Sequence, residues 1–416
     1  MTFEQLTKLA KKVKCASADL AALSTENKNA VLTDLATELV HHSSRITKEN
    51  AKDVKAAEKK VLSPALIDRL VLNDKRIQSM AAAVREVAAL KDPVGDVVAD
   101  YKCNGLHIKR VRVPLGVICM IYESRPNVTI DAASLCFKSG NAVILRGGSE
   151  AFHSSKELVK IMGSVLKKHG LDPSVVTLVP DTDRRSMVAL LKMDDLIDIV
   201  IPRGGSGLMN FVKEHSKIPV IKHDKGVCSI FVDESANLKK SIDVILNAKT
   251  QRPGVCNALE TLYVHRDVAQ KLLPELGEKL RGQGVEIRGD AGVKKILAYA
   301  KRATEIDYGT EYLDLILAIK LVKNIEDAIA NIRKYYSRHT ESILTENPAH
   351  VERFLNALDS SCVMHNTSTR FNDGGELGLG AEVGISTTKL HAYGPMGLTE
   401  LTITRFVVDS SYQIRN

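Results

Sequence analysis

The sequence predicts an α/β protein of two domains, each built on a mainly parallel sheet, with a β-ribbon arm. Three observations predict it. The chain is 416 residues long, more than one ordinary core supports, so roughly two to three domains are expected. From residue 115 onward, continuous apolar stretches alternate with amphipathic ones, the pattern of parallel strands covered by helices on both faces. Between 97 and 113 the texture is instead a short, polar strand pair around Asn104-Gly105. Apolar residues at 44% and charged residues at 26% give a globular balance, and aromatics at 4% without Trp leave the cores to Ala, Val, Ile and Leu.

Residues 1–90 read as helical. Thr2 and Gln5 have capping-box spacing, and Phe3, Leu6, Leu9, Ala10 and Val13 share one face of a helix from Met1 to Leu23. Val31, Leu32, Leu35, Leu39 and Val40 make a second stripe, and Ile77, Met80, Val84 and Val87 a third. Asp92-Pro93 and Gly95 close this block. Asn104-Gly105 suits a type I′ turn because both residues accept positive φ. Around it Leu106, Ile108, Val111 and Val113 alternate with His107, Lys109, Arg110 and Arg112, too polar for a core and suited to an arm.

Strands follow at Leu115–Tyr122, Ala142–Leu145, Val175–Leu178, Ile197–Ile201 and Cys228–Val232. Helices alternate with them at Val128–Lys138, Ala151–His169, Arg184–Lys192, Leu208–His215 and Leu238–Ala248. A second series runs from Leu259 to about 365, with strands Leu317–Val322 and Ser342–Leu344 around a helix Glu326–Lys334. The domains are drawn at 1–94 with 113–254, at 255–385, and at 95–112 with 386–416. The last is an arm whose ribbon pairs with a C-terminal strand near Leu401–Val408. Two polar edges offered to a partner sheet make the expected state a homo-oligomer.

Fifty-eight Lys+Arg against 50 Asp+Glu give +8. The surplus is spread along the chain and lacks stacking aromatics beside its Lys/Arg clusters, so no nucleic acid is expected, and anionic small ligands suit it better. Lys-rich stretches such as Lys52 to Lys60 read as solvent faces interleaved with Asp53 and Glu58. The longest apolar run, Val113 to Tyr122, is broken by Pro114 and Gly116 and is far short of a bilayer span, so no membrane is expected. Seven Cys without metal or disulfide spacing point to a reducing cytoplasm. His41-His42 and the isolated His223, His265, His339 and His391 show no ligand spacing; they read as solvated or capping residues, and no metal is expected.

The most informative stretch is Gln251-Arg252-Pro253-Gly254-Val255-Cys256-Asn257, a Pro/Gly loop between a helix and a strand. Cys256 there is either a buried structural thiol or a nucleophile reached by substrate, its thiolate favoured by a neighbouring Arg or helix N-terminus. Cys15, Cys103, Cys119, Cys136, Cys228 and Cys362 read as structural thiols. Two strand–loop–helix turns, Arg146-Gly147-Gly148-Ser149-Glu150 and Arg203-Gly204-Gly205-Ser206-Gly207, let a phosphate or ribose approach the backbone, and their repetition in one sheet points to a dinucleotide. In Glu123-Ser124-Arg125-Pro126-Asn127, Asn127 fits two roles, a side-chain amide for an oxyanion or a cap for the following helix. Arg125, Arg252 and Arg370 suit a phosphate or an α-carboxylate, or order their own loops. The glycine-rich Asp373–Gly380 reads as a flexible loop lining a cleft.

These blocks occur in an order that resembles the γ-glutamyl phosphate reductase family of the aldehyde dehydrogenase superfamily. The resemblance is carried by Val113-Pro114-Leu115-Gly116-Val117, Glu123 to Thr129, Ile144 to Ala151, Ile201 to Gly205, Asn247 to Asn257 and Gly378 to Thr387, and it spans essentially the whole chain. It implies an aldehyde dehydrogenase-like α/β fold: a Rossmann-type cofactor domain, an α/β catalytic domain and a β-ribbon oligomerisation arm. It also implies NADPH-dependent reduction of L-glutamyl 5-phosphate to glutamate 5-semialdehyde and phosphate, the second step of proline biosynthesis.

Carried over by position, Cys256 is the nucleophile and Asn127 the oxyanion donor. Arg146, Gly147, Gly148, Ser149 and Glu150 meet the adenosine ribose, Arg203, Gly204, Gly205 and Ser206 the pyrophosphate, and Glu311 the nicotinamide ribose. Asn366, Ser368 and Arg370 line the substrate pocket. Transient docking with glutamate 5-kinase follows from the instability of an acyl phosphate. Hydrolytic aldehyde dehydrogenases carry a Glu general base on the segment corresponding to Val220–Ser229; here it has none, which suits phosphate exchange rather than hydrolysis. The chain departs from the family at Asn331, near Tyr336, at Ser229 after Cys228, and at Tyr393. The rivals are a hydrolytic or CoA-acylating aldehyde dehydrogenase, and a basic nucleic-acid-binding scaffold on a dead dehydrogenase fold.

Overall fold

The structure, a computed structural model, describes residues 1–123, 125–222 and 225–415; Ser124, His223 and Asp224, which belong to loops singled out above, lie outside the described residues. The chain divides into two compact units. One comprises Met1–Lys222, Leu379–Gly384 and Met396–Asn416, the other His223–Gly378 and Ile385–Pro395.

In the first unit the helices α1 (Phe3–Ala21), α2 (Thr25–His41), α3 (Ser43–Lys59), α4 (Pro64–Leu70) and α5 (Asp74–Ala89) precede the sheets. The Thr2–Gln5 capping box forms, and the buried stripe of α1 runs through Leu6, Ala10, Val13, Ala16 and Leu20 at helical spacing. Phe3 falls before that stripe and is exposed. In α3, Asp53 departs from the expected solvent face. It is buried and accepts hydrogen bonds from the Ser154 hydroxyl (2.6 Å) and from the amides of His153 and Ser154, at the start of a later helix. There the carboxylate satisfies orphan N–H groups and meets the positive end of the helix dipole.

β1 (Val97–Cys103) and β2 (Leu106–Pro114) form the ribbon. Asn104 (φ 50°) and Gly105 (φ 77°) both take positive φ, as a type I′ turn requires. β2 pairs on its other side with the C-terminal strand Thr402–Asp409, in a register placing Ile403 opposite Val113 and Val408 opposite Ile108. Val97, Val98, Phe406, Val407 and Val408 stay exposed on the two outer strands.

The parallel sheet of this unit is built from β3 (Val117–Tyr122), β4 (Ala142–Gly147), β5 (Val176–Leu178) and β6 (Ile199–Arg203) in the order β5-β4-β3-β6. Its connecting helices are α6 (Asn127–Lys138), α7 (Phe152–Lys168) and α8 (Arg184–Leu190), and α9 (Ser206–His215) follows β6. Every residue of β3 and β4 is buried, hence the unbroken apolar character of β3 and of β4 up to Leu145. The strand order reverses between β3 and β6, so the loops after these strands meet at a topological switch point, the place where open α/β sheets bind ligands.

The second unit holds a parallel sheet ordered β10-β9-β11-β8-β7-β12-β13. Its strands are β7 (Cys228–Val232), β8 (Leu259–His265), β9 (Glu286–Gly289), β10 (Lys301–Arg302), β11 (Ile316–Val322), β12 (Thr340–Leu344) and β13 (Cys362–His365). The helices are α10 (Leu238–Thr250), α11 (Arg266–Gly282), α12 (Ala291–Ile296), α13 (Ile325–Tyr335) and α14 (Pro348–Ala357). One core gathers Ile230, Leu262, Leu272 and Leu276 with the neighbours of α10 and α11; another packs Phe231, Ile329 and Phe354. The boundary expected at 254 falls instead at 222/223. β7 hydrogen-bonds β8 and β12, both downstream, and local periodicity does not say which sheet a buried strand joins.

Candidate active site

In the first unit both Gly-rich turns sit at carboxyl ends of parallel strands, as their grammar predicts. A side chain at 148 would collide with the Glu150 carboxylate, its Cβ 2.2 Å from Oε1, so the backbone lies directly under that acid. Arg146 points into the protein: its side chain is buried, Nη2 donates to the Thr182 carbonyl at 2.5 Å, and Nε has no partner among the described residues. Burial lowers its pKa, which Glu150 opposes. At the second turn Glu123, at the end of β3, accepts the Gly205 N–H at 3.1 Å at the N-terminus of α9. A Cβ on Gly204 would come within 2.4 Å of the same carboxylate. Two glycine turns at the carboxyl ends of parallel strands, where the backbone is open to close approach, suit a phosphorylated, ribose-bearing ligand.

Asn127 opens α6, and its side chain does not cap the helix. It is exposed and donates through Nδ2 to Asp131 at 2.9 Å, one turn on. Burial pushes the Asp131 carboxyl up to about 6, against the Asn127 bond and the Arg203 charge. One amide hydrogen of Asn127 is thus held, which orients the amide and leaves the other to donate elsewhere. The sequence signal for Asp131 is its i, i+4 spacing after Asn127, which puts both on one helix face.

In the second unit the loops that precede β7, β8, β11 and β12 collect at the amino ends of these parallel strands. Cys256 lies in the loop before β8 and is half-buried. Of the others, Cys119, Cys136 and Cys228 are buried, and burial pushes the Cys119 and Cys136 thiols up to about 12. Cys15 and Cys103 depart from the expected buried role and are exposed, on a surface helix and at the ribbon turn.

The loop of Cys256 is fastened at several points. Asn257 donates to the Asn372 carbonyl at 2.9 Å and accepts from the Arg370 guanidinium, whose Nε also donates to Gln251 at 2.7 Å. Cys228 Sγ donates to the Cys256 carbonyl at 3.1 Å. Gly226 presses on the same peptide: a Cβ there would stand 2.1 Å from the Cys256 oxygen. Arg370 is half-buried, its pKa lowered by burial, against the Asp373 charge, and lowered further by the neighbouring Arg252, which is exposed.

Glu311 is half-buried and accepts the Gly226 N–H at 2.9 Å; burial raises its pKa, against that bond and the Lys225 charge. Two residues on, Leu313 takes φ 54° and its N–H is held by Glu260 at 3.1 Å. Glu260 binds Lys249 at 2.7 Å with both side chains fully buried. Burial pushes Glu260 up to about 7 and Lys249 down, and their hydrogen bond opposes both.

The structure brings Cys256, Arg370 and Glu311 to one edge of this sheet but not Asn366. That residue follows β13 at the opposite edge, its amide clasping the Thr345 backbone through Oδ1 (2.9 Å) and Nδ2 (3.0 Å). Ser368 is buried and accepts the Arg370 N–H, capping a short turn. Arg125 lies half-buried after β3 in the other unit.

Beneath Cys228 lies a polar layer that no sequence pattern announces. His339 is fully buried rather than solvated, with Nδ1 2.7 Å from the Thr340 hydroxyl and 3.5 Å from Cys228 Sγ. Glu341 is fully buried against Ser229 and Ser360, and burial pushes its carboxyl up to about 8. His265, as expected, caps a helix by accepting the Asp267 N–H.

A family model described as the aldehyde dehydrogenase family matches residues 1–290. A γ-glutamyl phosphate reductase of Citrifermentans bemidjiense is 51% identical over 413 residues, 99% of each chain. One of Caldanaerobacter subterraneus subsp. tengcongensis is 52% identical over 407 residues, 98% of each. A crystal structure of γ-glutamyl phosphate reductase from Thermotoga maritima superposes with a TM-score of 0.97 at 47% identity, over 99% of this chain and 100% of that one.

Proposed function

The chain belongs to the aldehyde dehydrogenase family, among its γ-glutamyl phosphate reductases, and we propose that it reduces L-glutamyl 5-phosphate to L-glutamate 5-semialdehyde and phosphate with NADPH, the second step of proline biosynthesis. The observation that carries this reading is the fastened, half-buried loop of Cys256, flanked by Arg370 and backed by Gly226.

A carboxylate does not accept hydride readily, whereas an acyl phosphate acylates a thiolate. The Cys256 sulfur bonds to the γ-carbonyl carbon, the C–O bond to phosphate breaks, and phosphate leaves. Bound nicotinamide supplies the hydride that reduces the thioester. The resulting thiohemiacetal collapses to aldehyde and returns the electron pair to sulfur. Both tetrahedral stages place negative charge on oxygen, for which the second hydrogen of the Asn127 amide, the one not given to Asp131, is the donor, worth about 3 kcal/mol. Arg125, Arg252 and Arg370 are the candidates for the phosphate and the α-carboxylate, and Ser368 supports Arg370. The cofactor contacts are Arg146 to Glu150 for the adenosine ribose, Arg203 to Ser206 for the pyrophosphate, and Glu311 for the nicotinamide ribose. No activated water is needed, and Glu341 is no substitute for a hydrolytic base, since burial favours its protonated form.

The exposed edges of the ribbon and of the C-terminal strand support a homo-oligomer, and the instability of the substrate supports transient contact with glutamate 5-kinase. Among the described residues no helix is long and apolar enough to cross a membrane. A reducing cytoplasm suits a catalytic thiol. The test of the activity is the reverse direction: sustained NADP⁺ reduction by glutamate semialdehyde, beyond a first turnover, appears only with added phosphate, and Cys256→Ala abolishes it while NADPH still binds. Phosphate-independent turnover, or normal rates in that variant, would sink the proposal.

A further inference from the structure

Lys249 and Glu260 flank the loop that carries Cys256, one at the end of α10 and the other in β8. Their side chains meet at 2.7 Å with no exposure to solvent. A buried pair of this kind gains little stability over an apolar pair of similar volume, because desolvation of two ions offsets their attraction. The second carboxylate oxygen of Glu260 points to a different use. It holds the N–H of Leu313 at 3.1 Å, and Leu313 is a non-glycine residue at φ 54°, a conformation that persists only when its surroundings impose it.

Leu313 lies two residues after Glu311, Glu311 holds the Gly226 N–H at 2.9 Å, and Gly226 packs against the Cys256 carbonyl so tightly that no Cβ fits. We propose that Lys249 and Glu260 are positioning residues that close a ring of contacts through Leu313, Glu311, Gly226 and Cys256, fixing the nucleophile and Glu311 in one geometry. The Lys249 side holds both ends of the thiol loop, and the Leu313 side sets where Glu311 stands. The inference rests on the reading of Cys256 as nucleophile and of Glu311 as a cofactor contact.

The two sides separate in two paired variants. Lys249→Met with Glu260→Met removes the ion pair and the Leu313 acceptor at nearly constant volume. Lys249→Met with Glu260→Gln removes the ion pair but keeps a carbonyl oxygen for Leu313. The readouts are the Kd for NADPH by fluorescence titration and the rate of Cys256 alkylation by iodoacetamide, followed on its peptide by mass spectrometry. Neither readout requires turnover, so a wrong assignment of the substrate leaves this test intact. Both variants are expected to alkylate Cys256 at a rate changed by about fivefold or more, while the Met/Met pair alone weakens NADPH by about the same factor. Folded variants with both quantities within about twofold of the unsubstituted protein, or a Met/Gln pair that weakens NADPH as much as Met/Met does, would overturn the ring.

Discussion

Replacing Glu341 by Gln separates burial from charge in the layer beneath the nucleophile loop. Glu341 is fully buried, takes its contacts from the Ser229 and Ser360 hydroxyls, and has its carboxyl moved from 4.5 to about 8 by desolvation. A group whose folded pKa lies above its unfolded one favours the fold fully below the unfolded value and loses that contribution as pH rises through the folded value. The window therefore runs from 4.5 to about 8. At ~1.4 kcal/mol per pH unit, the stability lost between pH 5 and pH 8 through this carboxyl is about 4 kcal/mol. Glutamine has the same shape and no charge to lose. Urea unfolding of both proteins from pH 5 to pH 8 should show the Gln variant gaining on the parent by about 4 kcal/mol, with similar m values. A difference that stays flat within ~0.5 kcal/mol would mean that the carboxyl pays no desolvation cost, and would refute the argument from burial.

Gly226→Ala should lower kcat by about tenfold or more, because its Cβ would stand 2.1 Å from the Cys256 carbonyl oxygen and the nucleophile's peptide must shift; steady-state kinetics with unchanged far-UV dichroism checks this. Asn127→Ala should cost on the order of 10²–10³ in kcat with little change in KM, as expected of a donor used only when charge develops on oxygen. Truncation after Leu398 removes the strand that pairs with β2, and light scattering should then report a smaller assembly; an unchanged mass would contradict the arm.

Much of this molecule was legible because its signals are local. The Asn104-Gly105 turn needs two positive φ values and the sequence offers the two residues that take them. Strand β3 and the Ala142–Leu145 stretch of β4 are apolar throughout because both sheet faces are covered. The loops that carry Cys256, Asn127 and the two glycine cradles stand out as Pro- and Gly-rich breaks in that alternation. What stayed hidden depends on partners distant in sequence. Lys249 and Glu260 resemble ordinary surface charges until the loop folds back and dries them. Asp53 sits in a Lys-rich run yet closes onto residues 153 and 154. The allegiance of β7 is decided by hydrogen bonds to β8 and β12, which no periodicity encodes. Asn366 lies near Arg370 in sequence, but the segment between them runs back along the sheet, leaving Asn366 at the far edge with Thr345.

In the proposed reaction Cys256 carries the acyl group and phosphate takes it away. Mixing enzyme, NADP⁺ and glutamate semialdehyde without phosphate tests it most directly. A single burst of about one NADPH per chain is expected, with a glutamyl group on Cys256 in the acid-quenched protein and resumed turnover on adding phosphate. Linear turnover without phosphate, or an equal burst from Cys256→Ser, would contradict it.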